Sequence, residues 1–167
     1  DLEIERLLIS LRKSILSNIT ELKNEKEIII FCNSLALHCF NNEYIYPITT
    51  EEEELLEGLE DIVKQSIYDL SQPTAVQIAC LASYRILSEY DWVERLVFST
   101  PSAELYSKQV IEPKEEIKLG IGIKRLSKVK DNISTKVKDQ YEDNPYPRWH
   151  SAAVPFKVFQ LSEIIHG

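Results

Sequence analysis

Apolar side chains recur along this chain at steps of three and four residues, and that period commits it to helices before any other feature is weighed. In the first segment Ile4, Leu7, Leu8, Leu11, Ile15, Leu16 and Ile19 line one face of a helix expected from about Leu2 to Ile19. The stretch from Lys26 to Asn41 is apolar nearly all round, through Ile28, Ile29, Ile30, Phe31, Leu35, Leu37 and Phe40. It is expected to be the central buried helix. A strand over Ile28 to Phe31 is disfavoured because Ala36, Leu37 and His38 continue the run without turn residues.

Start and stop signals divide the rest. Tyr44-Ile45-Tyr46-Pro47 reads as extended chain, since a residue before proline is pushed out of the α region. Thr49 and Thr50 each have a glutamate three residues on, Glu52 and Glu53, giving two possible capping boxes. The run Glu51 to Glu54 also suits the positive end of the helix dipole, and Leu55, Leu56, Leu59, Ile62, Val63 and Ile67 supply that helix's buried face. Pro73-Thr74 opens a helix expected to reach about Tyr90. Shorter helices are expected at Trp92 to Phe98, capped by Asp91, at Ala103 to Val110 after Thr100-Pro101, and at Pro113 to Leu119, with Gly120 and Gly122 in a terminating loop. Ser134 can cap a helix from Thr135 to about Glu142, and Val158 to Ile165 can form another. The fold class that follows is all-α, an irregular multi-helix bundle of about seven or eight helices with an extended Pro/aromatic C-terminal arm. Its expected division is a helical accessory domain over residues 1–133, then a capping helix, a Tyr/Pro/Trp strap and a linker over 134–167.

Composition narrows the functional classes. With 44% hydrophobic residues in 167, and only 4 Gly and 7 Pro, the chain can build a core and is neither collagen-like nor low-complexity. No apolar run approaches a membrane span, and the first twenty residues lack a basic region and cleavage site, so a cytoplasmic protein without membrane contact is expected. Residues 1–113 carry 9 basic and 20 acidic side chains, while 114–138 carry 8 basic and 3 acidic. The basic stretch lacks the interleaved aromatics of a single-strand binder, so no nucleic-acid partner is expected. The three cysteines, Cys32, Cys39 and Cys80, sit in apolar helical contexts and read as buried reduced thiols. His38 beside Cys39 has no spaced second ligand pair, so no metal is expected. His38, His150 and His166 likewise lack the nucleophile and orienting partner that a catalytic histidine needs.

One segment reads as more than packing: Gln140-Tyr141-Glu142-Asp143-Asn144-Pro145-Tyr146-Pro147-Arg148-Trp149. Two tyrosines, a tryptophan and an arginine stand beside prolines that stiffen the backbone, presenting large planar groups at low entropic cost. Such a strip can pack against the helices, stack on a ligand ring or dock a partner domain.

The longer segment V-K-D-Q-Y-E-D-N-P-Y-P-R-W resembles the V-R-x-Q-Y-E-E-N-P-Y-P-R-W motif found upstream of the catalytic core in bacterial class I S-adenosylmethionine-dependent methyltransferases, many of them carrying N-terminal tetratricopeptide repeats. Leu2-Glu3-x-x-Arg6-Leu7-Leu8 with Leu11-Arg12, the run Cys39 to Tyr46, and Glu112 to Glu116 are similar to the helical region of the same family. The resemblance implies a transferase whose cofactor is S-adenosylmethionine. It offers Tyr141, Asn144, Tyr146, Arg148 and Trp149 as cofactor-binding candidates, with the aromatics stacking, Arg148 pairing with a carboxylate and Asn144 hydrogen-bonding. The family's core needs a Gly-rich turn after a strand and an acidic residue for the ribose. After Trp149 eighteen residues remain and their sole glycine is Gly167, so an excised N-terminal or middle domain is expected. It should be inactive by itself, should not bind S-adenosylmethionine tightly, and should have the downstream core of the same chain as a partner, with the methyl acceptor left open between a protein substrate, a small molecule and a lipid. The alternative is a helical protein–protein interaction module that binds no cofactor.

Overall fold

The computed structural model describes residues 2–122, together with Lys136 and Gln140, both helical. All regular structure among these residues is helical. The α-helices are α1 (Leu2–Ser17), α2 (Lys26–Asn41), α3 (Thr50–Tyr68), α4 (Ala75–Ala82), α5 (Ala103–Tyr106) and α6 (Glu112–Gly122). Short 3-10 turns at Leu87–Glu89, Val93–Arg95 and Thr100–Ser102 carry the chain from α4 to α5.

Local chemistry sets most of these boundaries. The Thr49 hydroxyl accepts from Glu52 N while Glu52 reaches back to Thr49 N, and Thr74 with Gln77 repeats the arrangement. These two capping boxes satisfy N–H groups that the first turn of each helix leaves without partners. α2 ends differently from expectation. Instead of running straight into extended chain, Glu43 and Tyr44 adopt left-handed backbone, φ 53° and 52°. Glu43 N–H donates to Phe40 O and Tyr44 N–H to Cys39 O, the paired reversal that satisfies the last carbonyls of a helix. The run from Asn41 to Tyr44 is thus a helix-ending network.

The helix expected to be central is α2, but α4 is the more enclosed. Residues from Ile78 to Tyr84 are all buried, whereas α2 turns Ile30 and Phe31 to solvent at 46% and 45% exposure. Small residues explain it: Ala79, Cys80 and Ala82 let neighbouring elements close on every side of α4. α2 packs on α4, α1 on α3, and α3 on α4, with Leu16, Leu56, Val63, Leu81, Leu87 and Leu105 among the side chains filling the space between.

α4 stops at Ala82 rather than continuing to Tyr90. Ser83 turns its hydroxyl onto Cys80 O, and the buried Gln109 donates to Ala82 O while accepting from Leu87 N. A distant side chain therefore supplies the bonds that further helix would have made. The next expected helix, Trp92 to Phe98, contracts to the turn Val93–Arg95, followed by residues 96–99 without regular structure, extended at Leu96 and Ser99.

Pro113 does not begin a helix either. It lies in the first turn of α6, directly after a π-turn at Ser107–Ile111 that joins α5 to α6. A proline lacks the N–H that would bond four residues back and its ring crowds that carbonyl. The widened π-turn accommodates the proline without ending the helix. α6 then runs through Gly120 to Gly122, where a terminating loop was expected. The boundary at residue 133, the helix from Thr135, the strap and the segment from Val158 lie outside the described residues, save Lys136 and Gln140.

Candidate functional site

The five residues favoured as cofactor contacts, Tyr141, Asn144, Tyr146, Arg148 and Trp149, also lie outside the described residues. Within them, the most unusual chemistry centres on Arg12, which has no solvent exposure although α1 is an edge helix. Its Nη2 donates to Pro47 O at 2.9 Å and lies 3.8 Å from Glu52 Oε1. Its guanidinium carbon sits 4.3 Å from the ring centre of Tyr84 and 5.8 Å from that of Tyr46, a distance at which the ring faces attract the cation. Arg12 Nε and Nη1 have no hydrogen-bond partner among the described residues.

Glu52 completes the centre. One carboxylate oxygen accepts from Thr49 N and the Thr49 hydroxyl, both at 2.9 Å, and the other accepts from the Tyr84 hydroxyl at 2.9 Å. Burial alone would push this carboxyl up, but those three donors and the Arg12 charge outweigh it, so Glu52 titrates below the ordinary glutamate range. The Tyr84 hydroxyl moves the other way, raised by burial and by its bond to the Glu52 carboxylate. Beside them the Tyr46 hydroxyl lies 2.7 Å from His38 Nε2, which is also 3.0 Å from Asn42 Nδ2. With the ring proton on Nδ1, Nε2 accepts from the tyrosine.

This centre joins α1, the turn after α2, the start of α3 and the end of α4. A parallel network ties α3 to the segment after α4: Arg85 bridges Glu53 at 3.0 Å and Glu60 at 3.1 Å, while the Tyr90 hydroxyl donates to Glu60 at 2.6 Å. Neither network presents an activated nucleophile. Cys32, Cys39 and Cys80 are free and buried, and burial raises each thiol, that of Cys32 to about 11, so all three stay protonated at neutral pH. Among the described residues no three His, Cys, Asp or Glu side chains gather as metal ligands, and no helix is long and apolar enough to cross a membrane.

The surface offers a different chemistry. An open groove of about 670 Å³ runs along residues 96–99, walled by Phe98 stacked on Tyr106 at 4.4 Å and by Ile111. Val97 stands 78% exposed at its edge. Further on, α6 exposes Ile117, Leu119 and Ile121 at 67–83%. These are contact chemistries, not catalytic ones. Against known proteins, no family model, no curated protein and no solved structure matches this chain.

Proposed function

We propose that this chain is a non-catalytic helical domain of an S-adenosylmethionine-dependent methyltransferase and helps to shape the substrate or cofactor entrance of that enzyme. The observation that carries the reading is the ten-residue segment Gln140 to Trp149, in which aromatics, prolines, Asn144 and Arg148 follow the order of the methyltransferase motif. The character of the described residues supports it. The networks around Arg12–Glu52 and Arg85–Glu60 tie helices together and the three thiols are protonated, so turnover is assigned to a separate catalytic core. In this reading Tyr141, Tyr146 and Trp149 stack on or cap the cofactor, Arg148 pairs with a carboxylate, and the protein works in the cytoplasm.

The test is calorimetric titration of S-adenosylmethionine and S-adenosylhomocysteine into this chain and into the full gene product that contains it. Binding by the full product, and no better than millimolar binding here, is the expected pattern. Micromolar binding by this chain alone would remove the need for a core, and binding by neither would end the methyltransferase reading.

The second reading, a helical protein–protein interaction module that acts through its acidic face or the aromatic strip ending at Trp149, is favoured by the aromatic groove around Val97 and the exposed apolar residues of α6. It expects a stable complex that needs no cofactor and that Trp149→Ala weakens.

A further inference from the structure

At the end of α3 away from its capping box, a cleft of about 300 Å³ opens between that helix and the 3-10 turn Val93–Arg95. Lys64, Ile67, Tyr68, Asp91, Trp92 and Arg95 line it. Its size is at the lower end of small-ligand sites. Two periodicities place its residues. Lys64 and Tyr68 are four apart on α3 and share a face, while Trp92 and Arg95 are three apart across a turn in which positions i and i+3 eclipse.

The floor is rigid. Trp92 is 7% exposed and stacks on Tyr90 at 4.4 Å, and Tyr90 is held by Glu60 at 2.6 Å. Yet Trp92 Nε1, a buried donor, has no acceptor among the described residues, a condition that native proteins seldom leave unrelieved. Two cations stand at the same cleft. Lys64 is half exposed, and its ion pair with Glu60 is long, 3.8 Å. Arg95 is exposed, and its backbone carbonyl, not its guanidinium, takes the bond from Gln72. Asp91 is the single acidic side chain among the lining residues, which include the two cations Lys64 and Arg95, and Glu60 stands behind Lys64.

We propose that this cleft binds a small oxyanion carried on a ring-sized apolar body, its charge held by Arg95 and Lys64 and its ring laid against Trp92, Tyr68 and Ile67. The ligand ring covers the Trp92 indole, and the oxyanion becomes the acceptor of the buried Nε1–H where the side chains over that atom move aside. Asp91 selects against ligands with a second negative group. The site is independent of the methyltransferase reading, because it uses none of the residues from Tyr141 to Trp149.

Nitrogen-15 NMR of the whole chain tests it. The sequence has two tryptophans, so Trp92→Phe identifies the Trp92 indole signal. Benzoate and phenyl phosphate are the probes, with benzamide as the uncharged ring and acetate as the anion without a ring. The expected result is a saturable shift of the Trp92 indole signal with at least one charged ring, and a much weaker response to benzamide and acetate. Whichever of benzoate and phenyl phosphate binds more tightly names the anion. Arg95→Gln should weaken that binding by about tenfold, the loss of one charge-assisted hydrogen bond, with the rest of the spectrum preserved. No saturable shift with either charged ring, equal shifts with benzamide, or undiminished binding by Arg95→Gln would each overturn the proposal.

Discussion

Leu70 ends α3 in left-handed backbone, φ 58°, with its side chain 93% exposed. Its N–H bonds Ile67 O at 3.2 Å and Ser71 N–H bonds Ser66 O at 2.9 Å, so the position is the one that glycine favours at a helix end. An L-residue is disfavoured there by roughly 1–2 kcal/mol, and glycine's greater freedom in the unfolded chain returns part of that. Leu70→Gly is therefore expected to stabilise the domain by about 0.5–1 kcal/mol, read as a higher urea midpoint. A lower midpoint would mean that the leucine makes contacts its exposure does not reveal. Glu52 has the opposite significance. Its carboxyl titrates lower in the folded chain than in the unfolded one, so the unfolded state binds more protons as the pH falls, and the stability it contributes is lost through the acid range. Glu52→Gln should be less stable than the parent at neutral pH, and its stability should fall less steeply below the ordinary glutamate range. Parallel acid limbs for the two proteins would show that other carboxylates control the transition.

At the level of elements, the break after α4 depends on one buried amide. Gln109 gives Nε2 to Ala82 O at 3.0 Å and takes Leu87 N at 3.3 Å. Gln109→Leu keeps the volume but leaves the Leu87 N–H without its acceptor, while Ala82 O keeps only the Tyr44 hydroxyl at 3.2 Å. The expected loss is about 1–3 kcal/mol in chemical denaturation, and no measurable loss would show that water replaces the amide. This contact also explains what could and could not be read from sequence. The starts at Thr49 and at Pro73-Thr74, and the full span of α2, were legible because their signals lie within one or two turns. The end of α4 was not, because the residue that ends it stands 27 positions away from Ala82, and the passage of α6 through Pro113 needed a π-turn that no local motif announces. The polar centre was partly legible. Arg12 lies four residues from both Leu8 and Leu16, on the stripe that α1 buries, and Glu52 and Glu60 flank Leu56 in the same way on α3. A charge on an apolar stripe was the available signal, and which partners met it depended on tertiary packing.

For the molecule as a whole, residues 2–122 carry 21 acidic and 11 basic side chains, a balance of −10. Exposed pairs such as Lys13–Glu51 and Lys23–Glu25 offset little of this, since solvated ion pairs contribute at most about 1 kcal/mol each. The repulsion concentrates on α3, where exposed Glu57 has Glu53, Glu54, Glu60 and Asp61 at three- and four-residue spacing. All four carry its own sign; Arg85 already bridges Glu53 and Glu60, and the contacts with Glu54 and Asp61 cost roughly 0.2–0.5 kcal/mol each at low salt. Glu57→Lys turns these repulsions into attractions without touching the core, so the variant should melt higher than the parent in dilute buffer. Because the effect is electrostatic and solvated, it should shrink as the Debye length falls from about 30 Å at 0.01 M to about 8 Å at 0.15 M salt. The parent should gain stability over the same range as its self-repulsion is screened. Thermal melts of both proteins across that series decide the matter: converging curves place the strain in surface charge, whereas a constant gap would assign the gain to helix propensity at position 57.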